Sequence, residues 1–511
     1  MICDACGRSS FGETVQVTWT DCIPPLAECA TLNDLQAEMV FIENMARRLA
    51  ERRLQIHNRI NSLTPIAQLP QEILTEVFRV ALQRPDGVSN YSAKKPVTPL
   101  FLGSICKEWR QIAWSTPLLW NHVAIHVTNR TCAIQLQLLR DWLRRAKSSP
   151  LHIQIASEND GKTVHCSLPA ILETLLERSA YWFSLDALLP QECHHILEKR
   201  HFPILKTVLA RPPKGTISAF NTPPNMFLST PNLRDVDLWG HNFSSMFLPW
   251  DQLHKFRTQL VTLSECLEVF RRSTNLKECR LESIYLPHLL SSKPAELVYS
   301  ELELLNLSLI KGASTSLFNH LTLPNLQALD VEFLGLPTGP SRPFYLSGIG
   351  SLVARSGCSL QRLHIRTEEF HENDLLECLR CIPSLVHLGL SMRNEATDAH
   401  MGLTEDVIDA LRLHQSKSKS ISSILLPRLQ SFLYRGPMMG GVGLLVQMVA
   451  ERWRMHCYSR LASGCDAYRL PSRLKKADIE TVSSLPNEVA EEIKQLLSEG
   501  MDLNISLLRE L

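Results

Sequence analysis

A long apolar run and an excess of charge are both missing from this sequence. No stretch of 18 residues is apolar enough to span a membrane, and residues 1–6 lack the apolar stretch of a secretory signal. The 53 Lys and Arg residues balance 52 Asp and Glu residues, giving a net charge of +1, whereas nucleic-acid-binding proteins usually have a marked basic excess. We therefore expect an intracellular globular protein, cytoplasmic or nuclear, that binds neither membrane nor nucleic acid.

Paired cysteines are not indicated either. The 15 cysteines are an odd number spread over 511 residues, which favours free thiols in a reducing compartment. Cys3, Cys6, Cys22 and Cys29 lie in residues 1–30, which we predict to be a flexible N-terminus. Six residues separate the last pair, too wide a spacing for a zinc-ribbon knuckle. We predict no metal site, although the sequence alone leaves zinc binding by these four thiols open.

Motifs that carry catalytic chemistry are scarce. The sequence has no G-x-S-x-G nucleophile elbow, and the glycines at 436–443 lack the Lys-Ser/Thr pair of a phosphate-binding loop. His194 and His195 are adjacent, so they lack the i, i+4 spacing of a helical metalloprotease. We predict no catalytic residue and no cofactor. An enzyme whose site is assembled from distant residues is the remaining alternative.

Helical patterning is what the sequence does contain, first over residues 31–64, which have neither Pro nor Gly. Apolar residues recur there with heptad spacing, at Leu35, Ile42, Leu49, Ile56 and Leu63 and at the partner positions Leu32, Met39, Ala46, Arg53 and Ile60. This pattern predicts a coiled-coil-like helix, capped by Thr31 and Asp34 and ended by Thr64-Pro65. Two interpretations stay open: the helix pairs with a partner, including a homodimer through residues 32–63, or it lies against the body of the same chain.

Two further helical segments follow. Leu69-Pro70-Gln71-Glu72-Ile73-Leu74 begins a helix with an apolar stripe at Ile73, Leu74, Val77, Phe78 and Ala81. A polar loop over residues 83–98 separates it from a second helix, predicted from about Leu100 to Trp114, before Pro117 and Trp120. So small a unit cannot hide all these apolar side chains in its own core, so we expect the surplus to face a partner or the rest of the chain.

The motifs of residues 66–120 resemble the F-box. Leu-Pro-x-Glu-Ile-Leu at 69–74 is similar to its first helix, and residues 105–113, with Pro117 and Trp120, are similar to its closing part. Ile105 stands where valine is usual, and the 83–98 loop is longer than in the compact family form. The resemblance implies binding to a Skp-type adaptor, and through it to a cullin–RING ubiquitin ligase. The adaptor-binding residues that it implies are Leu69, Pro70, Ile73, Leu74, Ile105, Cys106 and Trp109.

A phrase of the form apolar-x-x-apolar-x-apolar recurs in the second half of the chain. Its first positions are Leu233, Leu276, Leu302, Leu326, Leu360, Leu385 and Leu429, at intervals of 43, 26, 24, 34, 25 and 44 residues. The short intervals are typical of leucine-rich repeats, and the long ones predict inserted loops. Helical segments at 264–272, 374–381 and 405–413 separate the phrases, so we predict stacked units with a parallel inner sheet. The outward positions that are candidates for a target-binding face are Asp235, Asp237, Lys277, Arg280, Arg362, His364 and His387.

The prediction is an α/β protein in four parts: residues 1–30; a coiled-coil-like helix at 31–64; an F-box at 65–122; and an irregular leucine-rich-repeat solenoid at 123–511, capped by a helix at 444–454 and a closing helix and strand at 485–503. By its resemblance to the large fungal F-box/leucine-rich-repeat family, the chain is expected to be a non-catalytic subunit that brings an unknown target protein to a ubiquitin ligase. The alternative is an interaction scaffold that uses the coiled coil and the repeats without any ligase.

Overall fold

The protein is described from a computed structural model, which divides the chain into two compact units at residues 1–119 and 120–511. The described residues are 31–82, 97–127, 132–157, 168–190, 193–198, 200–211, 227, 229–239, 247–285, 297–298, 302–310, 317–335, 346–368, 370–392, 403–413, 424–437, 441–454, 471–481 and 487–507. The four N-terminal cysteines and most of the predicted 83–98 loop lie outside this set. The boundary at residue 119 falls inside the predicted segment 65–122.

The first unit is helical. Its helices are α1 (Leu32–Ser62), α2 (Gln71–Leu82), α3 (Pro99–Ile105) and α4 (Lys107–Ser115), with short 3-10 turns at Pro65–Gln68 and Pro117–Trp120. None of the helices that the structure describes, in either unit, is long and apolar enough to cross a membrane.

Helix α1 begins and ends where the sequence predicts. Thr31 Oγ1 accepts a hydrogen bond from Asp34 N at 3.3 Å, and Asp34 Oδ2 accepts one from Thr31 N at 3.0 Å. This capping box satisfies N–H groups that have no partner within the helix. The helix ends at Ser62, and Thr64 is extended because Pro65 follows it. No residue of α1 is buried in the described part of the chain.

The predicted second helix is in fact two helices, α3 and α4, separated at Cys106. The Cys106 backbone is extended (φ −152°, ψ 171°), and its Sγ accepts a hydrogen bond from Trp109 N at 3.4 Å. Cys106 is therefore the N-cap of α4 rather than a residue on a helix face. The apolar spacing continues across this break, which explains why periodicity alone merges the two helices.

The second unit is built on a parallel sheet of fourteen strands. In the order in which they pair, these are β1 (His122–Val127), β2 (Leu151–Ser157), β3 (Trp182–Leu188), β4 (Thr207–Arg211), β5 (Asp235–Leu238), β6 (Lys255–Gln259), β7 (Glu278–Ile284), β9 (Leu304–Ile310), β11 (Ala328–Leu334), β12 (Arg362–Thr367), β13 (His387–Met392), β14 (Ser431–Arg435), β15 (Lys476–Thr481) and β16 (Asp502–Leu507). Strands β8 (Leu297–Val298) and β10 (Leu321–Thr322) form a separate pair. Sheet order follows chain order, so the predicted parallel sheet is confirmed and its architecture is solenoid-like.

Helices connect many of these strands. They are α5 (Cys132–Ala146), α6 (Leu168–Leu176), α7 (His194–Leu197), α8 (Leu263–Arg272), α9 (Ser347–Ser356), α10 (Glu372–Arg380), α11 (Glu405–Leu411), α12 (Gly441–Arg454) and α13 (Asn487–Ser498). Successive helices such as α9 and α10 pack on each other, and buried Asp374 of α10 accepts hydrogen bonds at 2.9 Å from Leu346 N and Ser347 N at the start of α9. One helix thereby caps its neighbour, which ties adjacent units together.

The repeated phrase forms the core of this unit. All 21 of its apolar positions are buried, and the second and third positions of each phrase lie on a strand. The sequence analysis missed several units, among them Leu205, Val208 and Ala210 on and before β4 and Leu474, Ala477 and Ile479 on and before β15, all of them buried. Leu253, Phe256 and Thr258 take the same three positions on and before β6, and all are buried. This unit divides the 43-residue interval, so the prediction of an inserted loop there is wrong. The β6 unit does not match the apolar-x-x-apolar-x-apolar pattern because its third position is Thr258 rather than an apolar residue.

Arg452 of α12 is a charged side chain in this core. It is fully buried, and its guanidinium donates to the carbonyl oxygens of Leu411 at 2.6 Å, Leu426 at 3.0 Å and Leu425 at 2.7 Å. Burial lowers the pKa of Arg452 to about 10. The guanidinium therefore supplies hydrogen-bond donors to backbone carbonyl oxygens of two separate chain segments, the end of α11 and residues 425–426.

Candidate functional site

Helix α2 has two apolar faces, of which only one is used by the core of the first unit. Leu74 and Phe78 are buried, whereas Ile73, Val77 and Val80 are exposed on an adjacent strip of the helix. The contrast is sharpest between neighbours, since Leu74 is 4% exposed and Ile73 is 51% exposed. Spacings of four and three residues place the exposed set on one face. We call these three side chains the α2 apolar face.

Helix α3 presents a similar surface. Leu102 and Gly103 are buried, while Phe101 and Ile105, four residues apart, are exposed. We call Phe101 and Ile105 the α3 apolar face. Phe101 is 57% exposed, a large fraction for an aromatic ring in a folded unit. Thr98 fixes the start of this helix, because its Oγ1 accepts a hydrogen bond from Phe101 N at 3.2 Å.

The core beneath these faces is small and tightly packed. The rings of Phe78 and Trp109 meet edge to face with their centroids 4.8 Å apart. Arg110 Nε donates to the carbonyl oxygen of Gly103 at 2.8 Å, which holds α4 against α3. The Trp114 indole lies so close to Gly103 that a Cβ there would be 2.0 Å from Trp114 Cζ3. These contacts use the inner sides of α2, α3 and α4 and leave the α2 and α3 apolar faces on the outside.

The structure separates the predicted adaptor-binding residues into three groups. Leu69, Pro70, Ile73 and Ile105 are exposed; Cys106 and Trp109 are half-buried; and Leu74 is buried. Pro70 immediately precedes α2, and its carbonyl oxygen accepts the first helical hydrogen bond, from Leu74 N, at 3.0 Å. Leu74 is thus a core residue and Cys106 a helix cap.

The sequence analysis missed the outward-facing members of these helices. Val80 and Phe101 were not singled out, and Val77 was grouped with the buried Leu74 and Phe78 in one stripe. A helical-wheel reading could have separated the two faces of α2, because they differ by about a third of a turn.

The other candidate surface is the polar face of the fourteen-stranded sheet. Strand residues that alternate with the buried phrase align in rows across the sheet, and the central row contains Gln154, Asp186, Asp237, Arg257, Arg280, Asn306, Asp330, His364, Asp478 and Asn504. Many are paired, as in Arg211–Asp186 at 2.8 Å and Arg257–Asp237 at 3.3 Å. The face therefore offers charges of both signs held in fixed positions, the type of surface that selects a partner by complementarity.

Six of the seven outward residues predicted for this face do lie on strands. Asp235, Asp237, Arg280, Arg362, His364 and His387 all occupy β5, β7, β12 or β13, and none is buried. Lys277 precedes β7 instead and forms an ion pair with Glu303 at 3.5 Å. It therefore belongs to the turn before the strand.

The side chains of Asp330, His364 and Ser391 meet across three adjacent strands of the polar face, although Ser391 is in register with Arg366 and not with His364. His364 Nε2 is 2.9 Å from Ser391 Oγ, and His364 Nδ1 is 3.6 Å from Asp330 Oδ1. Burial raises the pKa of Asp330, but hydrogen bonding from His364 and the charge of Arg366 outweigh it, so the pKa is lowered overall. An imidazole–hydroxyl pair also joins His152 and Ser184 at 2.9 Å. Pairing of this kind is thus a recurrent way in which neighbouring strands share polar groups.

Several of the described thiols are buried in the second unit. Burial raises the pKa of Cys266, Cys279 and Cys378, which keeps these thiols protonated and weakly nucleophilic. Within the described ranges, no group of three or more His, Cys, Asp or Glu residues is arranged to hold a metal ion. The structure does not describe the four N-terminal thiols, Cys3, Cys6, Cys22 and Cys29. Zinc binding by these thiols therefore stays an open alternative from the sequence.

No family model matches the chain, and no curated protein is significantly similar to it.

Proposed function

We propose that the chain is the substrate-recognition subunit of an SCF-type cullin–RING ubiquitin ligase. An F-box at residues 65–122 would bind a Skp-type adaptor, and leucine-rich repeats within residues 123–511 would bind a target protein. The observation that carries the proposal is the pair of α2 and α3 apolar faces, which stay exposed although the core of the first unit is already filled. Exposed apolar side chains of this kind mark sites of protein association.

The apolar faces are large enough to supply useful binding energy. Full burial of a Val, Ile or Phe side chain contributes about 1.5–3 kcal/mol, so half-exposed side chains contribute roughly 1 kcal/mol each. The five side chains of the two faces then provide roughly 5 kcal/mol before the costs of association. This energy supports a protein partner rather than incidental surface exposure.

The second unit supports the target-binding half of the proposal. Buried phrases at short intervals, one strand per phrase and a sheet in chain order are the features expected of leucine-rich repeats. The polar face of the sheet is the candidate surface for the target. The chain would act by proximity, since it raises the concentration of the target near the ubiquitin-loaded enzyme without contributing a reacting group.

The test is binding of a purified Skp-type adaptor to the full chain, measured by calorimetry. Ile73→Asp and Ile105→Asp place a charge on the exposed faces without touching the core, and each should weaken binding on the order of 30-fold or more. Arg79→Ala is the matched control, because Arg79 is exposed on a different side of α2 and pairs only with nearby Glu76. Substitutions of Leu74 or Trp109 are unsuitable, since both would disturb the core.

Adaptor binding that is equally strong in both Asp variants, or absent in the wild-type chain, contradicts the proposal. Affinity purification followed by mass spectrometry would identify adaptor and target together. A chain that self-associates and recovers no adaptor supports the second candidate, an interaction scaffold, which the exposed seam of α1 favours.

An enzyme is the third candidate. The observation that favours it is the contact of His364 with both Asp330 and Ser391. Ser391 is buried, which leaves its hydroxyl little access to a substrate carbonyl. Treatment with a fluorophosphonate probe tests the idea. Labelling that disappears in Ser391→Ala supports hydrolase chemistry, and we expect no such labelling.

A further inference from the structure

Helix α1 carries a continuous apolar seam that the described part of the chain leaves exposed. The seam consists of alternating heptad positions: Leu32, Met39, Ala46, Arg53 and Ile60 at the first core position, and Leu35, Ile42, Leu49, Ile56 and Leu63 at the second. Nine of these ten residues are apolar, and all ten are exposed. A seam sustained over more than four heptads is typical of a helix that pairs with another helix.

The charges of α1 are segregated along its length. Residues 32–47 contain three acidic residues and one arginine, a net charge of −2, because 1 − 3 = −2. Residues 48–63 contain four arginines and one glutamate, a net charge of +3, because 4 − 1 = +3. Two copies aligned in the same direction would bring like halves together, whereas two copies in opposite directions bring unlike halves together.

We infer that α1 binds α1 of a second copy of this chain as an antiparallel coiled coil with full overlap. In an antiparallel coiled coil, a first core position of one helix faces a second core position of the other. Here residue n of one helix meets residue 95 − n of the other, so Leu32 faces Leu63, Ala46 faces Leu49 and Arg53 faces Ile42. This single register pairs every seam position from Leu32 to Leu63. The register also places Arg53, the one charged seam residue, against Ile42 of the second copy rather than against a second Arg53.

The charges of the residues that flank the seam also favour the antiparallel direction. In the antiparallel register Glu38 meets Arg59 of the second copy, and the symmetry of the dimer makes this pair twice. Among the other flanking positions, Met45 meets Arg52 and Glu43 meets Ala50, so no like charges are opposed. In a parallel dimer Glu38 would instead meet Glu43, and Arg53 would meet Arg53 at the core. Flanking charges are known to set the orientation of coiled coils.

The antiparallel arrangement has a consequence that rests on the proposed adaptor function. A helix of 31 residues is about 47 Å long at about 1.5 Å per residue. The two copies of α2 follow the C-terminal ends of the two α1 helices, so they would lie at opposite ends of the coiled coil. Each adaptor-binding segment would then stay accessible in the dimer.

Sedimentation equilibrium of the full chain, across a range of concentrations, tests both pairing and direction. We expect a dimer whose dissociation constant rises on the order of ten-fold in Glu38→Arg and in Arg59→Glu, because each change opposes like charges at two sites. The double variant E38R/R59E restores the pairs in the reverse sense, so it should return to the wild-type value. Ile42→Lys should abolish the dimer, whereas Val40→Lys should not, although Ile42 and Val40 are 52% and 57% exposed.

Each result decides the inference. A chain that stays monomeric at tens of micromolar, or a dimer that survives Ile42→Lys, would overturn it. Tighter association in Glu38→Arg would show a parallel dimer instead, because that change removes the repulsion between Glu38 and Glu43. Adaptor binding is measured separately on Ile73→Asp, so failure of the dimer and failure of the adaptor proposal are distinguishable.

Discussion

Replacement of Gly103 by alanine is the sharpest test of how the first unit is packed. On an open helix this change stabilises the protein by about 1 kcal/mol, since alanine has the higher helix propensity. In α3 the added Cβ would be 2.0 Å from Cζ3 and 2.4 Å from Cη2 of the Trp114 ring. The ring is rigid, so α3 and α4 must separate or the indole must leave its site, which costs about 1–3 kcal/mol as overpacking.

Set against the propensity gain, this cost leaves a net loss of about 1 kcal/mol of local stability, within a range of about 0–2 kcal/mol, so the propensity effect is cancelled or reversed. Hydrogen exchange of amides in residues 97–119 is the appropriate assay, because a chain of two units does not unfold in one step. We expect exchange there to become roughly five-fold faster or more, since about 1.4 kcal/mol corresponds to ten-fold. Ser104→Ala, on the exposed side of the same helix, is the control and should not accelerate exchange.

A second substitution identifies the cause. Gly103→Ala combined with Trp114→Leu removes most of the ring that the new methyl group meets. If the clash is the reason for the loss, the alanine should cost less in the Trp114→Leu background than in the wild type. Unchanged or slower exchange in Gly103→Ala alone would refute the packing described for α3 and α4.

Four further predictions concern the second unit. Burial raises the pKa of Asp237 despite the nearby charge of Arg257, so the ionised carboxylate destabilises the folded state at pH 7. Asp237→Asn should therefore raise the melting temperature at pH 7. This gain should vanish below about pH 4, where the carboxyl is protonated in both the folded and the unfolded chain. The pKa of Asp330 is lowered overall, so Asp330→Asn should lower the melting temperature at pH 7, and that loss should fade as the pH falls through the folded-state pKa. Gly389→Ala would put a Cβ 2.7 Å from Cδ2 of His364 and should destabilise the sheet by about 1–3 kcal/mol in denaturant unfolding. Arg452→Met leaves three buried carbonyl oxygens without that donor and should cost about 3 kcal/mol or more, measured in the same way.

The controls for these predictions come from the same rows of the sheet. Asp478→Asn changes a carboxyl of the central row that bonds Asn504 at 3.1 Å, and it should have a small effect at either pH. The same sign of change in Asp237→Asn and Asp330→Asn at pH 7 would contradict the assignment of opposite environments. A neutral Arg452→Met variant would mean that water or neighbouring groups replace the guanidinium.

Much of the local architecture follows from patterns that the sequence displays directly. The start and end of α1 follow from Thr31, Asp34 and Pro65, because capping and proline geometry act within a few residues. The buried positions of the seven phrases follow from alternation, since one face of each strand has to leave water. The parallel order follows from repetition, because a single strand-and-connection unit cannot bury its own apolar face.

Other features depended on contacts between residues far apart in the sequence. Periodicity marked Ile73 and Leu74 alike as apolar; only the packing of Phe78 against Trp109 directs Leu74 into the core and leaves Ile73 in solvent. The break at Cys106 was likewise invisible, since the apolar spacing runs across it.

The sequence by itself determined where α1 begins and ends, which face of each phrase strand is apolar, and that α1 carries a heptad seam, because these properties depend on neighbours within one or two turns. Only the tertiary structure decided which apolar side chains enter a core and which stay exposed, and how Asp330, His364 and Ser391 meet across three strands. Burial and alignment of this kind depend on the close packing of distant segments, which no local pattern specifies.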